Sequence, residues 1–99
     1  MTITPASSLE YWSSLGRTDI VRELLTTDIE VNLGDCNGYT ALHGAAENGH
    51  AEIVRILLMH GADPTRKLVT GETAYDLACK SGHTVCAALI NSASNPQSG

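Results

Sequence analysis

Short apolar runs recur along the chain, and glycine or a polar stretch separates each run from the next. The clearest run, residues 53–58, has apolar side chains at all but one position. This run is too broad for a single helix face, so it predicts a helix covered on more than one side. A similar run lies at residues 20–25, and small residues dominate residues 41–46. The pattern therefore predicts short helices that pack closely on their neighbours.

The stretches between these runs carry signals for helix ends and tight turns. Thr40 can cap a helix with its hydroxyl, and Gly49 ends that helix. Pro64 prevents the next helix from continuing, and Asn37-Gly38 favours a tight turn. The predicted helices cover residues 9–15 (capped by Ser7 or Ser8 after frayed residues 1–6), 18–26, 41–48, 51–60, 74–81 and 84–91. Two extended fingers, residues 28–39 and 62–71, are expected to connect the helix pairs.

The central unit is repeated on both sides at a spacing of 33 residues. Downstream, Gly38, Thr40, Ala41, Ala45, Gly49 and His50 recur as Gly71, Thr73, Ala74, Ala78, Gly82 and His83. Upstream, Leu42, Gly49, Ile53, Val54, Arg55, Leu57 and Leu58 correspond to Leu9, Gly16, Ile20, Val21, Arg22, Leu24 and Leu25. A fixed period of this length indicates a repeat architecture, in which each unit buries its apolar face against its neighbours.

The central unit resembles the ankyrin repeat. Residues 40–45 read T-A-L-H-G-A, which is similar to the T-P-L-H-x-A signature of that family. The third unit has Asp76 where the central unit has His43, and the first unit lacks this start. The resemblance implies an all-α repeat protein: an ankyrin-type α-solenoid of three helix-turn-helix units joined by β-turn or hairpin fingers.

The resemblance also implies a domain organisation. We expect one ankyrin-repeat domain over residues 1–91, with repeats at about 7–34, 35–67 and 68–91, and a flexible C-terminal tail at 92–99. The atypical outer units favour a complete small domain, because terminal repeats have one face in water. The alternative is that the chain is a fragment of a longer scaffold protein. Met1 and the cap-like third unit argue mildly against this alternative.

In the ankyrin family, finger tips and first helices form a concave face that meets a protein partner. The resemblance therefore implies a non-enzymatic interaction module, an adaptor, which needs no cofactor. Tyr39 is the expected anchor, because tyrosine offers a large and stiff contact surface; the alternative is that it packs on the neighbouring finger. The positions carried over are Ser14, Leu15, Cys36, Asn37, Tyr39, Glu47, Asn48, Val69, Thr70, Glu72, Lys80 and Ser81. An alternative within this class is an inhibitory subunit that masks an enzyme or a transcription factor.

The sequence around Asn32 allows two interpretations of its role. Residues 24–32 resemble the finger segment in which ankyrin asparagines are β-hydroxylated by an oxygen-dependent enzyme, so Asn32 is a possible hydroxylation site. The other interpretation is that the Asn32 side-chain amide stabilises the finger through hydrogen bonds.

Composition narrows the partner class. The net charge of −5 argues against a nucleic-acid surface, which needs clustered cations. Residues 1–49 hold seven acids and two arginines, whereas residues 50–99 hold four of each sign. The acidic half is either a partner-facing surface or a solvated one. No apolar run reaches membrane length, so we expect a protein partner, no membrane, and a monomer when unbound.

Histidines and cysteines offer a different class of function. His43, His83 and the cysteines could serve an enzyme or a metal protein, and Cys79, His83 and Cys86 lie within eight residues. However, Gly82 interrupts that group, and structural roles at repeat-equivalent positions account for most of the histidines. Three widely spaced cysteines indicate reduced thiols rather than a disulfide framework. We therefore expect no catalysis and no metal, and a cytoplasmic or nuclear location.

Overall fold

The computed structural model describes residues 5–27 and 29–94, and six α-helices lie in these residues. They are α1 (Pro5–Leu15), α2 (Thr18–Leu25), α3 (Ala41–Glu47), α4 (Ala51–Met59), α5 (Ala74–Lys80) and α6 (Thr84–Ser94). Successive helices form three pairs, with α3 between α1 and α5, and α4 between α2 and α6. The one β-bridge in the described ranges joins Lys67 of the second finger to Thr73, the residue before α5. The predicted all-α repeat fold is confirmed.

Two helices begin at threonine caps, of which the sequence analysis predicted Thr40. Thr40 Oγ1 accepts a hydrogen bond from the His43 backbone N–H, while His43 Nδ1 accepts one from the Thr40 N–H at 3.0 Å. In the third repeat, Thr73 and Asp76 make the same reciprocal pair. The replacement of histidine by aspartate therefore keeps the cap, because either side chain accepts a hydrogen bond from the threonine amide.

The two outer helices differ from the sequence prediction. α1 begins at Pro5, so the predicted start at Leu9, with a serine cap, is wrong. Proline fits the first helical position, because it lacks the N–H that would have no partner there. α6 continues to Ser94, so residues 92–94 of the predicted tail are helical. Residues 1–4 and 95–99 lie outside the described residues.

Small and aliphatic side chains fill the core. Every residue from Ala41 to Ala46 is buried, because α1 covers one side of α3 and α5 covers the other. α4 buries Ile53, Val54, Ile56 and Leu57. Full burial of one such aliphatic side chain stabilises the fold by ~1.5–3 kcal/mol. The central repeat is therefore held mainly by its neighbours.

Close approach between α1 and α3 depends on Gly44. A Cβ atom at this position would collide with the hydroxyl of Ser14 and lie 3.3 Å from its Cβ, so any larger residue would require the Ser14 side chain to turn away. The repeat-equivalent residue in α1 is Tyr11, which is 58% exposed and meets the Trp12 ring edge-on, with 4.9 Å between ring centroids. Trp12 packs against the core. The first repeat thus has aromatic side chains where the second repeat has Gly44 and Ala45.

Candidate protein-binding face

The two finger tips lie side by side. The Val69 N–H donates to the Asn37 carbonyl oxygen at 2.9 Å. Gly38 sits against the backbone of Lys67: a Cβ on this residue would be 3.0 Å from the Lys67 carbonyl oxygen. Gly38 also has a φ of +80°, which glycine adopts without strain. The fingers therefore form one continuous edge of the molecule.

The tip of the first finger is fixed by Asp35. One carboxylate oxygen of Asp35 accepts hydrogen bonds from the N–H groups of Asn37 and Tyr39, at 2.8 and 3.1 Å. The Asp35 carbonyl oxygen accepts a third from Gly38. This local bonding is typical of an Asx turn. It leaves the side chains of Cys36 and Asn37 exposed at a tip whose backbone is ordered.

Tyr39 connects the finger to the first helix of its own repeat. Its ring stacks on the imidazole of His43, with 5.8 Å between ring centroids, and its hydroxyl donates to the Glu47 carboxylate. Burial and this bond to a negative charge raise the pKa of Tyr39 above its ordinary value. The phenol therefore stays neutral. Tyr39 is half-buried and supports the fold as well as facing the surface.

Glu10 adds a second carboxylate near Tyr39. Partial burial, followed by the charge of Asp35, raises the pKa of Glu10, and the charge of Glu10 in turn reaches Tyr39. In the described part of the chain, neither Glu10 nor Glu47 forms an ion pair with a cation. This end of the face is therefore negatively charged.

The third repeat contributes an ion pair to the same face. Lys80 Nζ lies 2.6 Å from a Glu72 carboxylate oxygen, and the Thr70 hydroxyl donates to the other oxygen at 3.1 Å. The hydrogen bond from Lys80 lowers the pKa of Glu72, and the same contact raises the pKa of Lys80. The negative charge of Glu72 is therefore balanced by Lys80 within the protein.

Several residues assigned to the face also join neighbouring repeats. The Ser14 carbonyl oxygen accepts hydrogen bonds from Asn48 Nδ2 at 3.1 Å and from His50 Nε2 at 3.0 Å. The His50 ring fills the space above Gly16, and the His83 ring fills the equivalent space above Gly49. His50 thus bonds the loop after α3 to the end of α1, and His83 packs against the loop after α3. Asn48 has an internal role in addition to any contact with a partner.

The remaining positions differ in exposure. Leu15 is 53% exposed at the end of α1, and Val69 is 74% exposed on the second finger. Cys36, Asn37, Thr70 and Ser81 are exposed polar or small residues. Hydrogen bonds join the ends of α1 and α3 to each other and the ends of α3 and α5 to the fingers, so these helix ends and the two finger tips share one side of the molecule.

The sequence did not single out Glu10 or Leu33. Leu33 is 52% exposed and lines a shallow hollow beside Asp35 and Arg66. The sequence did not distinguish it, because Ile29 and Val31 in the same finger are also apolar but pack against the core. Glu10 had no signal either, because its proximity to Asp35 and Tyr39 exists only after α1 packs on α3.

Asn32 lies at the junction between the fingers and is partly buried. Its side-chain oxygen accepts from the Asp63 N–H at 2.6 Å, and its amide nitrogen donates to the Gly61 carbonyl oxygen at 3.1 Å. The amide therefore braces the second finger against the first. Hydroxylation of Asn32 stays a prediction.

The described residues contain no cluster of three or more His, Cys, Asp or Glu side chains that could hold a metal ion. Cys79 is exposed and Cys86 is buried. Burial raises the pKa of the Cys86 thiol, which disfavours its reactive thiolate. Within the same residues, no helix is long and apolar enough to cross a membrane.

Comparison with known proteins identifies the family. A family model described as ankyrin repeats, in three copies, matches residues 9–98. The chain therefore belongs to the ankyrin repeat family, whose repeats are generally non-catalytic modules of protein–protein interaction.

The chain also resembles parts of longer proteins. It is 35% identical over 85 residues to a probable E3 ubiquitin-protein ligase, XBOS32, of Oryza sativa, covering 85% of this chain and 17% of that protein. It is 39% identical over 61 residues to the ankyrin repeat-containing protein P1E11.10 of Schizosaccharomyces pombe, covering 62% and 30%. It is 39% identical over 79 residues to human espin-like protein, covering 80% and 8%. The chain thus spans less than a third of each of these relatives.

Proposed function

We propose that this protein is a non-catalytic adaptor that binds a partner protein through its concave face. The concave face comprises the two finger tips and the C-terminal ends of α1, α3 and α5. The observation that carries the proposal is the bonded alignment of the fingers, in which Val69 donates to Asn37. This bond orders an exposed edge without occupying its outward-facing side chains, and a preorganised surface loses less entropy on binding.

The chemistry of the concave face favours a protein over other ligands. Leu15 and Val69 are apolar and more than half exposed, while the carboxylates of Glu47, and of Glu10 near Tyr39, form no ion pair within the described residues. Apolar side chains next to polar and charged groups are typical of protein interfaces. The same carboxylates repel nucleic acid and anionic lipid. We infer that the protein works as a monomer in the cytoplasm or nucleus until it meets its partner.

An inhibitory subunit is the second candidate within this class. The same face could cover the active site of an enzyme or the binding surface of a transcription factor. This candidate rests on Tyr39 and Glu47, which join the finger to the first helix and stiffen the central part of the face. An adaptor leaves the partner's activity unchanged on binding, whereas an inhibitor lowers it.

The experiment is affinity capture from lysate, with mass spectrometry to identify the partner, followed by amide hydrogen exchange on the purified complex. We expect protection at residues 35–39 and 68–72 and at the ends of α1, α3 and α5. Protection confined to α2, α4 and α6 would place the partner on the opposite side and overturn the assignment. An assay of the partner's activity with and without this protein separates the two candidates.

A further inference from the structure

A groove lies on the opposite, convex side, between α2 and α4. It has a volume of about 450 Å³ and is lined by Arg22, Glu52, Arg55, Ile56, Met59 and His60, among others. We call it the convex groove. An ion pair between Arg22 and Glu52, at 2.9 Å, spans it from one repeat to the next. A volume of this size lies within the range of ~300–1,000 Å³ that is usual for ligand-binding clefts.

The apolar part of the groove is not required by the fold. Met59 is 77% exposed, the highest value among the exposed large hydrophobic side chains that the structure describes. The repeat-equivalent residues are Thr26 in the first repeat and Ser92 in the third. A polar side chain therefore serves this position in both neighbouring repeats. Methionine adapts its shape to different partners, so Met59 beside Ile56 gives the second repeat an apolar contact at a position where both neighbouring repeats have polar side chains.

The charge of the groove is positive, in contrast to the chain as a whole. Arg22 is neutralised by Glu52, whereas Arg55 forms no ion pair within the described residues. Arg55 is exposed, and its equivalent in the third repeat is Ala88. The net charge of −5 belongs largely to other surfaces, and charges beyond about 8 Å are screened at physiological ionic strength. An unpaired guanidinium beside an apolar surface is complementary to a carboxylate that lies next to an apolar side chain.

We propose that the convex groove binds a short acidic segment of a partner protein. An Asp or Glu of that segment makes a bidentate contact with the Arg55 guanidinium, and a neighbouring Leu, Ile or Phe packs on Met59 and Ile56. This site is separate from the concave face, so the two can be occupied together. The proposal does not depend on the function assigned to the concave face.

The third repeat supplies the test variant. Arg55→Ala and Met59→Ser together place in the second repeat the residues that the third has at these positions, so the fold should tolerate them. Val69→Ser is the matched control, because Val69 has a similar exposure of 74% but lies on the second finger. Circular dichroism melting curves of both proteins should overlay that of the wild type.

The probe is a phage-displayed library of random peptides selected on the wild-type protein. Enriched peptides should carry Asp or Glu within one helical turn of Leu, Ile or Phe. By fluorescence anisotropy, their dissociation constants should rise at least ~10-fold with the double variant and stay unchanged with Val69→Ser. Added salt should weaken binding to the wild type more than binding to the Arg55→Ala variant, because the carboxylate contact is electrostatic.

Four outcomes would overturn the proposal. They are the absence of enrichment over uncoated support, enriched peptides that are basic or lack acids, equal affinity for the wild type and the double variant, and equal weakening by Val69→Ser.

A parallel sedimentation assay uses vesicles of phosphatidylglycerol and phosphatidylcholine. Vesicle binding that the double variant abolishes, with no peptide enriched, would assign the groove to an anionic lipid surface instead.

Discussion

The imidazole of His43 donates a hydrogen bond from Nε2 to the carbonyl oxygen of Arg66, over 3.1 Å. Its other ring nitrogen, Nδ1, accepts from the Thr40 N–H. One side chain thus caps its own helix and holds the second finger. The Nδ1 bond requires the neutral ring, since a protonated Nδ1 cannot accept, whereas the Nε2 bond is kept when the ring is protonated. The ring is also buried, at 1% exposure.

This arrangement predicts a loss of stability in mild acid. Burial lowers the pKa of His43 below its ordinary value of 6.5. Above pH 6.5 both the folded and the unfolded states carry neutral His43, so its contribution is complete. As the pH falls below 6.5, His43 becomes protonated in the unfolded state but stays neutral in the folded state. The free energy of unfolding then falls by at most about 1.4 kcal/mol per pH unit.

Urea titrations at about pH 7.5, 6.5 and 5.5 measure this slope, and NMR of the ring protons gives the pKa directly. The exposed His60 supplies the control: His60→Gln should keep the slope between pH 6.5 and 5.5, whereas His43→Gln should lose most of it. A His43 that titrates at or above pH 6.5 would contradict the prediction, even if the His43 variant fails to fold.

A serine hydroxyl in the core predicts a stabilising substitution. Ser13 is fully buried, and its Oγ has no hydrogen-bond partner within the described residues. An unsatisfied buried hydroxyl costs about 1–3 kcal/mol. The equivalent residue in the second repeat is Ala46. We therefore expect Ser13→Ala to raise the free energy of unfolding by ~1 kcal/mol in urea titrations, and an unchanged or lowered value would show that the hydroxyl has a partner in solution.

The two sides of α4 should respond differently to truncation. Leu57 is fully buried at 0% exposure, so Leu57→Ala should destabilise the protein by ~2–5 kcal/mol. Arg55 is exposed and unpaired within the described residues, so Arg55→Ala should cost less than ~0.5 kcal/mol. Urea titrations of both variants compare the two losses directly, and similar values would mean that the faces of α4 are misassigned.

Asn32 should matter for stability whether or not it is modified. Its two hydrogen bonds to Gly61 and Asp63 join the fingers, so Asn32→Ala should cost ~1–3 kcal/mol. Asn37→Ala, at the exposed finger tip, is the control and should cost less than ~0.5 kcal/mol. Incubation with an asparaginyl hydroxylase, followed by peptide mass mapping, tests modification separately. An unmodified Asn32 beside a modified control ankyrin would leave only the bracing role.

The concave face should carry the binding of the captured partner. Tyr39 is half-buried and Glu72 is paired internally, so Leu15 and Val69 are better probes of binding alone. Leu15→Ser with Val69→Ser should leave the melting curve nearly unchanged yet weaken binding at least ~30-fold, which corresponds to ~2 kcal/mol. The convex variant, Arg55→Ala with Met59→Ser, should keep full affinity for this partner. The reverse pattern in anisotropy titrations would move the partner to the other side.

The sequence by itself determined the repeat and most of its local structure. The threonine caps of α3 and α5 and the glycine after the first helix of each pair act through contacts within a few residues, and the 33-residue period is visible in the order of residues alone. They could therefore be interpreted without knowing how the chain packs. The buried run on α4 could also be predicted from the sequence, because the spacing of apolar residues indicates how much of a helix surface is covered.

The tertiary structure decided what depends on residues far apart in sequence. Glu10 meets the charge of Asp35 only after α1 packs on α3, and Glu72 is neutralised because α5 brings Lys80 beside the finger. The convex groove exists only where α2 and α4 lie together, since Arg22 and Glu52 are 30 residues apart. Electrostatic and packing partners of this kind depend on distance in space, which the order of residues along the chain does not specify.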